Sequence, residues 1–245
     1  IPEYRLPYDV IDQEVAVIEA QGVKIEYNCR VGQDISMEQL RQENDAVLLS
    51  IGLHLGRSTR LPGTDHASVK KAVDLLRDIT DGKEVETPRK LVVIGGGNVA
   101  MDIARSMARL QKQKYGEVGV IVTALEDFDH FLADPEEVKE SFEEGIGIFD
   151  ARGPREIRFD ENGQLQGLIT WKCLSIFDDE GRFAPTYDDS DERLHEGEML
   201  IEAIGQASDV SLLGEELTEK LEWNRGRIQV DVAGRTSESW LWAGG

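Results

Sequence analysis

Leu91-Val-Val-Ile-Gly-Gly-Gly-Asn-Val-Ala-Met-Asp-Ile-Ala-Arg-Ser-Met-Ala-Arg-Leu110 is the stretch that decides how this chain folds. Four apolar residues, Leu91 to Ile94, read as a buried strand. Gly95-Gly-Gly97 interrupts it, and Val99, Ile103, Met107 and Leu110 then recur along one helical face. Strand, glycine turn and helix in that order are the context a G-x-G-x-x-G/A string needs before it signifies dinucleotide binding. Gly95 permits the tight turn, Gly97 leaves room for a pyrophosphate to approach the backbone, and Ala100 lets the helix pack closely on the strand. The free amides and positive dipole end of the helix would then hold the phosphates. The competing reading is a tight strand–helix turn without a ligand, which predicts the same local fold.

The next strand, Val118 to Thr123, should deliver a side chain to the adenosine ribose. An acid there binds the 2′-hydroxyl of NAD, whereas Arg accommodates the 2′-phosphate of NADP. The sequence offers Thr123-Ala-Leu-Glu126-Asp127 and no Lys or Arg before Lys139, so Glu126 is the candidate and the local chemistry favours NADH. A merely solvated acidic loop is the alternative.

Working outward, Asp9 can cap a helix with the apolar stripe Ile11, Val15 and Ile18, ended by Gly22. Val23 to Tyr27 alternates like a short strand, Ser36 and Gln39 have capping-box spacing, and Ala46 to Ile51 reads as a fully buried parallel strand. A helix is expected near Val69 to Arg77, an acidic helix over Asp134 to Glu144 and a strand over Ile146 to Phe149. An antiparallel meander through Ile157–Phe159 and Leu165–Phe177 comes next, then a buried strand over Met199 to Ile204. Ala46–Gly52 and Met199–Gly205 both end in Ile-Gly. Either this is a coincidence of two parallel strands, or it marks where the chain leaves one domain and later returns, with Leu221–Val232 belonging to the first part.

The 245 residues include 48 acids and 27 bases, a formal net charge of −21. Such a balance argues against nucleic acid and against an anionic membrane surface, both of which are met with Lys and Arg. No apolar run approaches the roughly 20 residues of a membrane helix. No secretory or transit signal is visible, and Cys29 and Cys173 lack metal-ligand spacing, so a cytoplasmic setting is expected, with no metal and no iron–sulfur cluster inside this chain. The four histidines are scattered and read as surface or loop side chains. No GxSxG, HExxH or P-loop string occurs, and no His, Lys or Tyr constellation suits a dehydrogenase acting directly on a small substrate. The chain opens at Ile1 and closes on Trp240-Leu-Trp-Ala-Gly-Gly245, which reads as a piece of a longer protein.

The ordered set Ile1-Pro-Glu-Tyr-Arg-Leu-Pro7, Asp45-Ala-Val with Ile51-Gly52, Leu61-Pro-Gly63, Gly95-Gly-Gly-Asn-Val-Ala-Met-Asp102, Glu143-Glu-Gly145, Ala203-Ile-Gly-Gln206 and Ala243-Gly-Gly245 resembles the small (β) subunit of glutamate synthase and its relatives. The pyridine-nucleotide half of dihydropyrimidine dehydrogenase is one of these. The resemblance implies an α/β flavoprotein with two dinucleotide-binding domains. A Rossmann-like NAD(P)-binding domain with an antiparallel meander (59–205) would be inserted in a partial FAD-binding domain (1–58 and 206–245). It implies hydride transfer from NAD(P)H to FAD and electrons passed onward to iron–sulfur clusters outside this chain or to a larger catalytic subunit or redox complex.

By position, the resemblance places Gly95, Gly97, Asn98, Val99 and Ala100 along the pyridine nucleotide, and Gly205 and Gln206 near both cofactors. Gly244 and Gly245 would approach the flavin, as would Tyr4 and Arg5. Three departures stand out: the FAD glycine fingerprint and its preceding Cys motifs are missing, the Asp after the terminal glycine pair is absent, and Ala124-Leu-Glu126 replaces an Arg pair. The first two leave half of the FAD site outside this sequence. The third opposes the family's usual NADPH preference. A non-catalytic nucleotide-binding or scaffold module is the alternative function.

Overall fold

The computed structural model describes residues 1–244. The chain divides into two compact units: Ile1–Val10 with Gly56–Gln206, and Ile11–Leu55 with Ala207 onward. The larger unit therefore includes the first ten residues, which the sequence assigns to the flanking part.

The larger unit is built on a five-stranded parallel sheet: β1 (Val69–Lys71), β2 (Leu91–Ile94), β3 (Val120–Thr123), β4 (Gly147–Phe149) and, after an antiparallel excursion, β8 (Met199–Glu202). The strand order is β1-β8-β2-β3-β4. Helices α1 (Ala72–Thr80), α2 (Asn98–Tyr115) and α3 (Pro135–Glu143) make the crossovers. Every residue of β2 and β8 is buried, as continuous apolar strands of covered parallel sheets require. One face of the sheet packs on α2 through Met101, Ile103, Ala104 and Met107, all without exposed surface. Burial of each large side chain there stabilises the unit by about 1.5–3 kcal/mol. Gly116, in the left-handed conformation at φ 78°, ends α2.

Between β4 and β8 the chain forms an antiparallel meander: β5 (Arg152–Phe159), β6 (Leu165–Phe177) and β7 (Phe183–Glu196). Leu168, Leu165 and Ile157 of the meander pack against Val92, Ile94 and Leu200, covering the other face of the parallel sheet.

The smaller unit pairs Val47–Leu49 in parallel with Leu241–Ala243 and gathers Met37, Leu49, Leu213, Leu217, Leu221 and Leu241 into its own core. Half of the expected capping box is present: Ser36 Oγ accepts from the amide of Gln39 at 3.1 Å, while the Gln39 side chain donates to Glu43 at 3.0 Å.

Several local expectations are corrected. Val23–Tyr27 forms no strand, because nothing pairs with it. Ala46–Ile51 is not fully buried: the strand is three residues long, has one partner, and leaves Leu48 69% exposed. Val69 begins a strand rather than a helix, since Val69–Lys71 pair with β8 before α1 starts. His195 is no surface side chain; it is 2% exposed, with Nε2 3.0 Å from Thr170 Oγ1 and its ring on Phe149. No helix among the described residues is long and apolar enough to cross a membrane.

Candidate nucleotide-binding site

From β2 the chain proceeds to β3 and β4 on one side, and returns as β8 on the other. The sheet thus reverses direction at β2, and a doubly wound sheet offers its ligand crevice outside the carboxyl ends of the strands at such a point. Gly95–Gly97 occupies the end of β2, and Ala203–Gly205 the end of β8.

The two ends are pressed together. Gly95 has φ 139°, a conformation closed to most side chains, and a β-carbon there would collide with the Ala203 carbonyl. The Gly95 amide donates to Thr123 O at 2.8 Å and the Ala203 amide to Ile94 O at 2.8 Å, so the turn is held from both sides. Gly97 is different. Its φ of −98° is ordinary, it caps α2 without a side-chain hydrogen bond, and a β-carbon would meet nothing within 4 Å. The space beside Gly97 and the uncapped amide end of an 18-residue helix together form a cradle for an anionic group.

Glu126 converges on the same turn. Its Oε2 lies 3.0 Å from where a Gly96 β-carbon would stand, next to Ala124 Cβ at the same distance. The loop carrying it is pinned: Ala133 N donates to Gly96 O at 3.0 Å, Asp134 N to Asn98 Oδ1 at 2.8 Å, and Ala151 N to Glu126 O at 2.8 Å. Asn98 therefore orients this loop through its side chain. Val99 is half-buried against the core, and Ala100 is wholly buried, the close-packing role expected of it. Three residues beyond Asp127, His130 Nδ1 sits 2.6 Å from the Asp127 carboxylate, which raises the imidazole above its usual range through that hydrogen bond.

Gly205 has φ 106° and accepts at its carbonyl from Arg57 N at 3.0 Å; Gln206 is half-buried at the end of this unit. Gly244 belongs to the other unit, where its amide donates to Leu49 O at 3.0 Å. Gly245 lies outside the described residues. Among the described residues of the smaller unit no glycine turn leads from a strand into a helix. Those residues alone therefore do not form a pyrophosphate site for FAD, whereas the larger unit's residues fit a pyridine nucleotide.

Two charged clusters escaped the sequence reading. Glu202, at the end of β8, is buried and accepts from Thr59 N and Thr59 Oγ1 at 2.6 Å and from Ser58 Oγ at 3.2 Å, while Lys71 pairs with its other oxygen. Burial pushes its pKa up, but the bonds from Lys71 and Thr59 outweigh that and hold it below the usual carboxylate range. A lone acid inside Met199-Leu-Ile-Glu-Ala was the available signal.

The second cluster centres on Arg105 of α2, whose side chain is 3% exposed. It bonds Glu137 and Glu140 at 2.5 Å and Glu144 at 2.9 Å. The Tyr4 ring lies against Arg105 and Arg109, and Arg5 bonds Asp102 at 2.7 Å and Glu137 at 2.9 Å. Burial drives the Tyr4 hydroxyl up to about 12 despite the two guanidinium groups. The Pro2–Arg5 segment, assigned to the flavin by resemblance, has these α2 and α3 side chains as its partners.

Residues 8–245 match the family model described as pyridine nucleotide-disulphide oxidoreductase. The β subunit of the NADP(+)-dependent formate dehydrogenase of Moorella thermoacetica is 34% identical over all of this chain and 34% of its own length. The NAD-dependent dihydropyrimidine dehydrogenase subunit PreT of Escherichia coli is 39% identical over 63% of this chain and 36% of its own. The chain spans about a third of the length of these curated relatives. Among solved structures, Mycobacterium tuberculosis FprA in complex with NADPH superposes with a TM-score of 0.72 at 16% identity, covering 98% of this chain and 66% of FprA. T. acidophilum thioredoxin reductase gives 0.58 at 19% identity over 82% of this chain and 56% of its own. At these identities the likeness is one of fold.

Proposed function

Since the chain belongs to the pyridine nucleotide-disulphide oxidoreductase family, we propose that it supplies the NAD(P)H-binding unit of a flavin-dependent oxidoreductase of the glutamate synthase small-subunit type. The observation that carries this is the convergence of the Glu126 carboxylate and the uncapped start of α2 on one glycine turn at the sheet's reversal point. The cradle beside Gly97 takes the pyrophosphate, and Glu126 accepts the ribose 2′-hydroxyl. An acid in that position repels a 2′-phosphate, so NADH is the favoured nucleotide over NADPH.

When bound, the nucleotide supplies hydride; the residues around it bind and orient, and none is assigned acid–base work. Gly205 and Gln206 would lie near the cofactors, and Gly244 and Gly245 beside the flavin. The remainder of the FAD site, and the iron–sulfur clusters that receive electrons, would be furnished by chain beyond these residues or by a larger partner subunit. The PreT and formate dehydrogenase relatives are named as subunits, which supports a role within an assembly.

Titration of the protein with NADH and with NADPH, followed by calorimetry, tests this reading. NADH binding at least tenfold tighter than NADPH is expected, on the order of 1.4 kcal/mol. Failure to bind either by a folded protein would replace it with the scaffold alternative.

A further inference from the structure

The distal end of the meander is built differently from its base. β6 and β7 run for 13 and 14 residues, but β5 pairs with β6 only as far as Lys172. Past Cys173, whose amide reaches Ala151 O at 2.8 Å, the hairpin continues as two strands alone. The base buries Leu168 and Ile169 in the unit, whereas the arm leaves Leu174, Phe177 and Phe183 at 62, 56 and 68% exposed. Phe177 and Phe183 face each other across the hairpin, with ring centroids 6.3 Å apart in an edge-to-face arrangement. A two-stranded hairpin gains little stability in water by extending itself, and rigid exposed aromatics are the side chains that anchor protein interfaces.

The charge around them selects the partner. From Lys172 to Glu192 the arm carries seven acids against two bases. Arg182 is taken up by Asp178 and Glu180 at the turn. A second copy of this chain, itself at −21, is repelled by such an arm, as is an anionic lipid surface. Strand addition along β7, one edge of the arm, is interrupted by Pro185, which has no amide to donate, and the other edge, β6 past Cys173, offers only the short stretch Leu174–Phe177. What remains is docking by side chains.

We infer that the arm formed by residues 173–188 docks through Phe177, Phe183 and Leu174 into an apolar socket on a different protein, rimmed by Lys and Arg. This rests on the proposal that the chain works within a larger assembly, and identifies the surface it would use.

The test uses the full-length protein, tagged and isolated from the cells that make it, with a photo-reactive phenylalanine analogue at position 177. Illumination is expected to join it to a different polypeptide at a site flanked by Lys or Arg. Phe177→Ser with Phe183→Ser should reduce the amount of that polypeptide co-purifying at least about tenfold. Asp179→Lys with Glu180→Lys, confined to exposed acids, should do the same and abolish the salt sensitivity of the wild-type complex. Unchanged NADH affinity in both variants confirms that they are folded. Adducts to a second copy, to lipid or to another part of the same polypeptide would overturn the inference, as would no adduct. A partner retained by both variants overturns the arm alone; a wild-type protein with no stoichiometric partner overturns the assembly reading and the arm with it.

Discussion

The carbonyl oxygen of Ala203 occupies the place that a β-carbon on Gly95 would need. Gly95 ends β2 and Ala203 follows β8, strands that lie side by side but are separated in sequence by the whole of β3 to β7. The contact therefore records a long-range constraint as well as a local turn. It separates two glycines that a motif treats alike.

Gly95→Ala meets both a positive φ and backbone that cannot give way, and should destabilise the protein by roughly 3 kcal/mol. Gly97→Ala meets open space at an ordinary φ, so stability should stay within about 0.5 kcal/mol while NADH affinity falls at least about tenfold. Thermal denaturation and nucleotide titration of the two variants check this. A Gly97→Ala protein that binds NADH normally would show that the pyrophosphate lies elsewhere.

Glu126→Arg replaces a hydroxyl acceptor with a phosphate partner. NADH affinity should drop and NADPH affinity rise, moving their ratio by about tenfold or more, since a hydrogen bond to a charged group contributes about 1.5–3 kcal/mol. The pair of dissociation constants measured for each variant gives the answer.

Arg105→Met removes the buried cation shared by Glu137 and Glu144, which keep Arg5 and Arg109 as partners, and should cost about 1–3 kcal/mol. Arg89→Ala, which removes an ion pair with Glu117 whose side chains are 61% and 72% exposed, should change stability by less than about 1 kcal/mol. Chemical denaturation compares the two directly.

Acid should weaken the fold in two stages. Burial, aided by Arg193 and Arg152, depresses His195 from 6.5 to about 4, so the folded state keeps it neutral where the unfolded state takes up a proton. Its contribution is complete above pH 6.5 and is lost as the pH falls towards 4, on the order of 3 kcal/mol in all. Glu144 and Glu202 are held below their ordinary 4.5, so their contributions are present above that value and vanish at lower pH. A midpoint temperature that holds steady from pH 7 to pH 4.5 would refute the first stage. His195→Gln should flatten that stage and spare the second.

The core of this architecture was legible because its pattern is local. β2 and β3 are short continuous apolar runs covered on both faces, α2 repeats its apolar residues at helical spacing, the meander is set off by its turn residues, and Ser36 or Gly116 mark ends by local chemistry. The smaller unit was harder to read: Val23–Tyr27 and Ala46–Ile51 have strand patterns, but a strand exists only where a partner supplies its hydrogen bonds. Glu202 and Arg105 were missed for the opposite reason. A charge inside an apolar pattern looks like an interruption until the distant groups that satisfy it, Lys71 and Thr59 or Glu137 and Glu144, are brought alongside. The acidic run Glu126–Glu144 likewise reads as a negative face, yet Arg105, Arg109 and Arg5 engage three of its carboxylates and Lys139 and His130 two more. Much of that charge is balanced within the molecule.

The hydrogen bond from Arg57 N to Gly205 O brings together the two places at which residues 56–206 enter and leave their unit. To the rest of the chain the intervening stretch is thus a loop already closed, whose length imposes almost no entropic penalty. The unit is tied in a second place as well, since Tyr4 and Arg5 lie against α2 and α3, so any exchange of residues 56–206 has to carry those contacts with it.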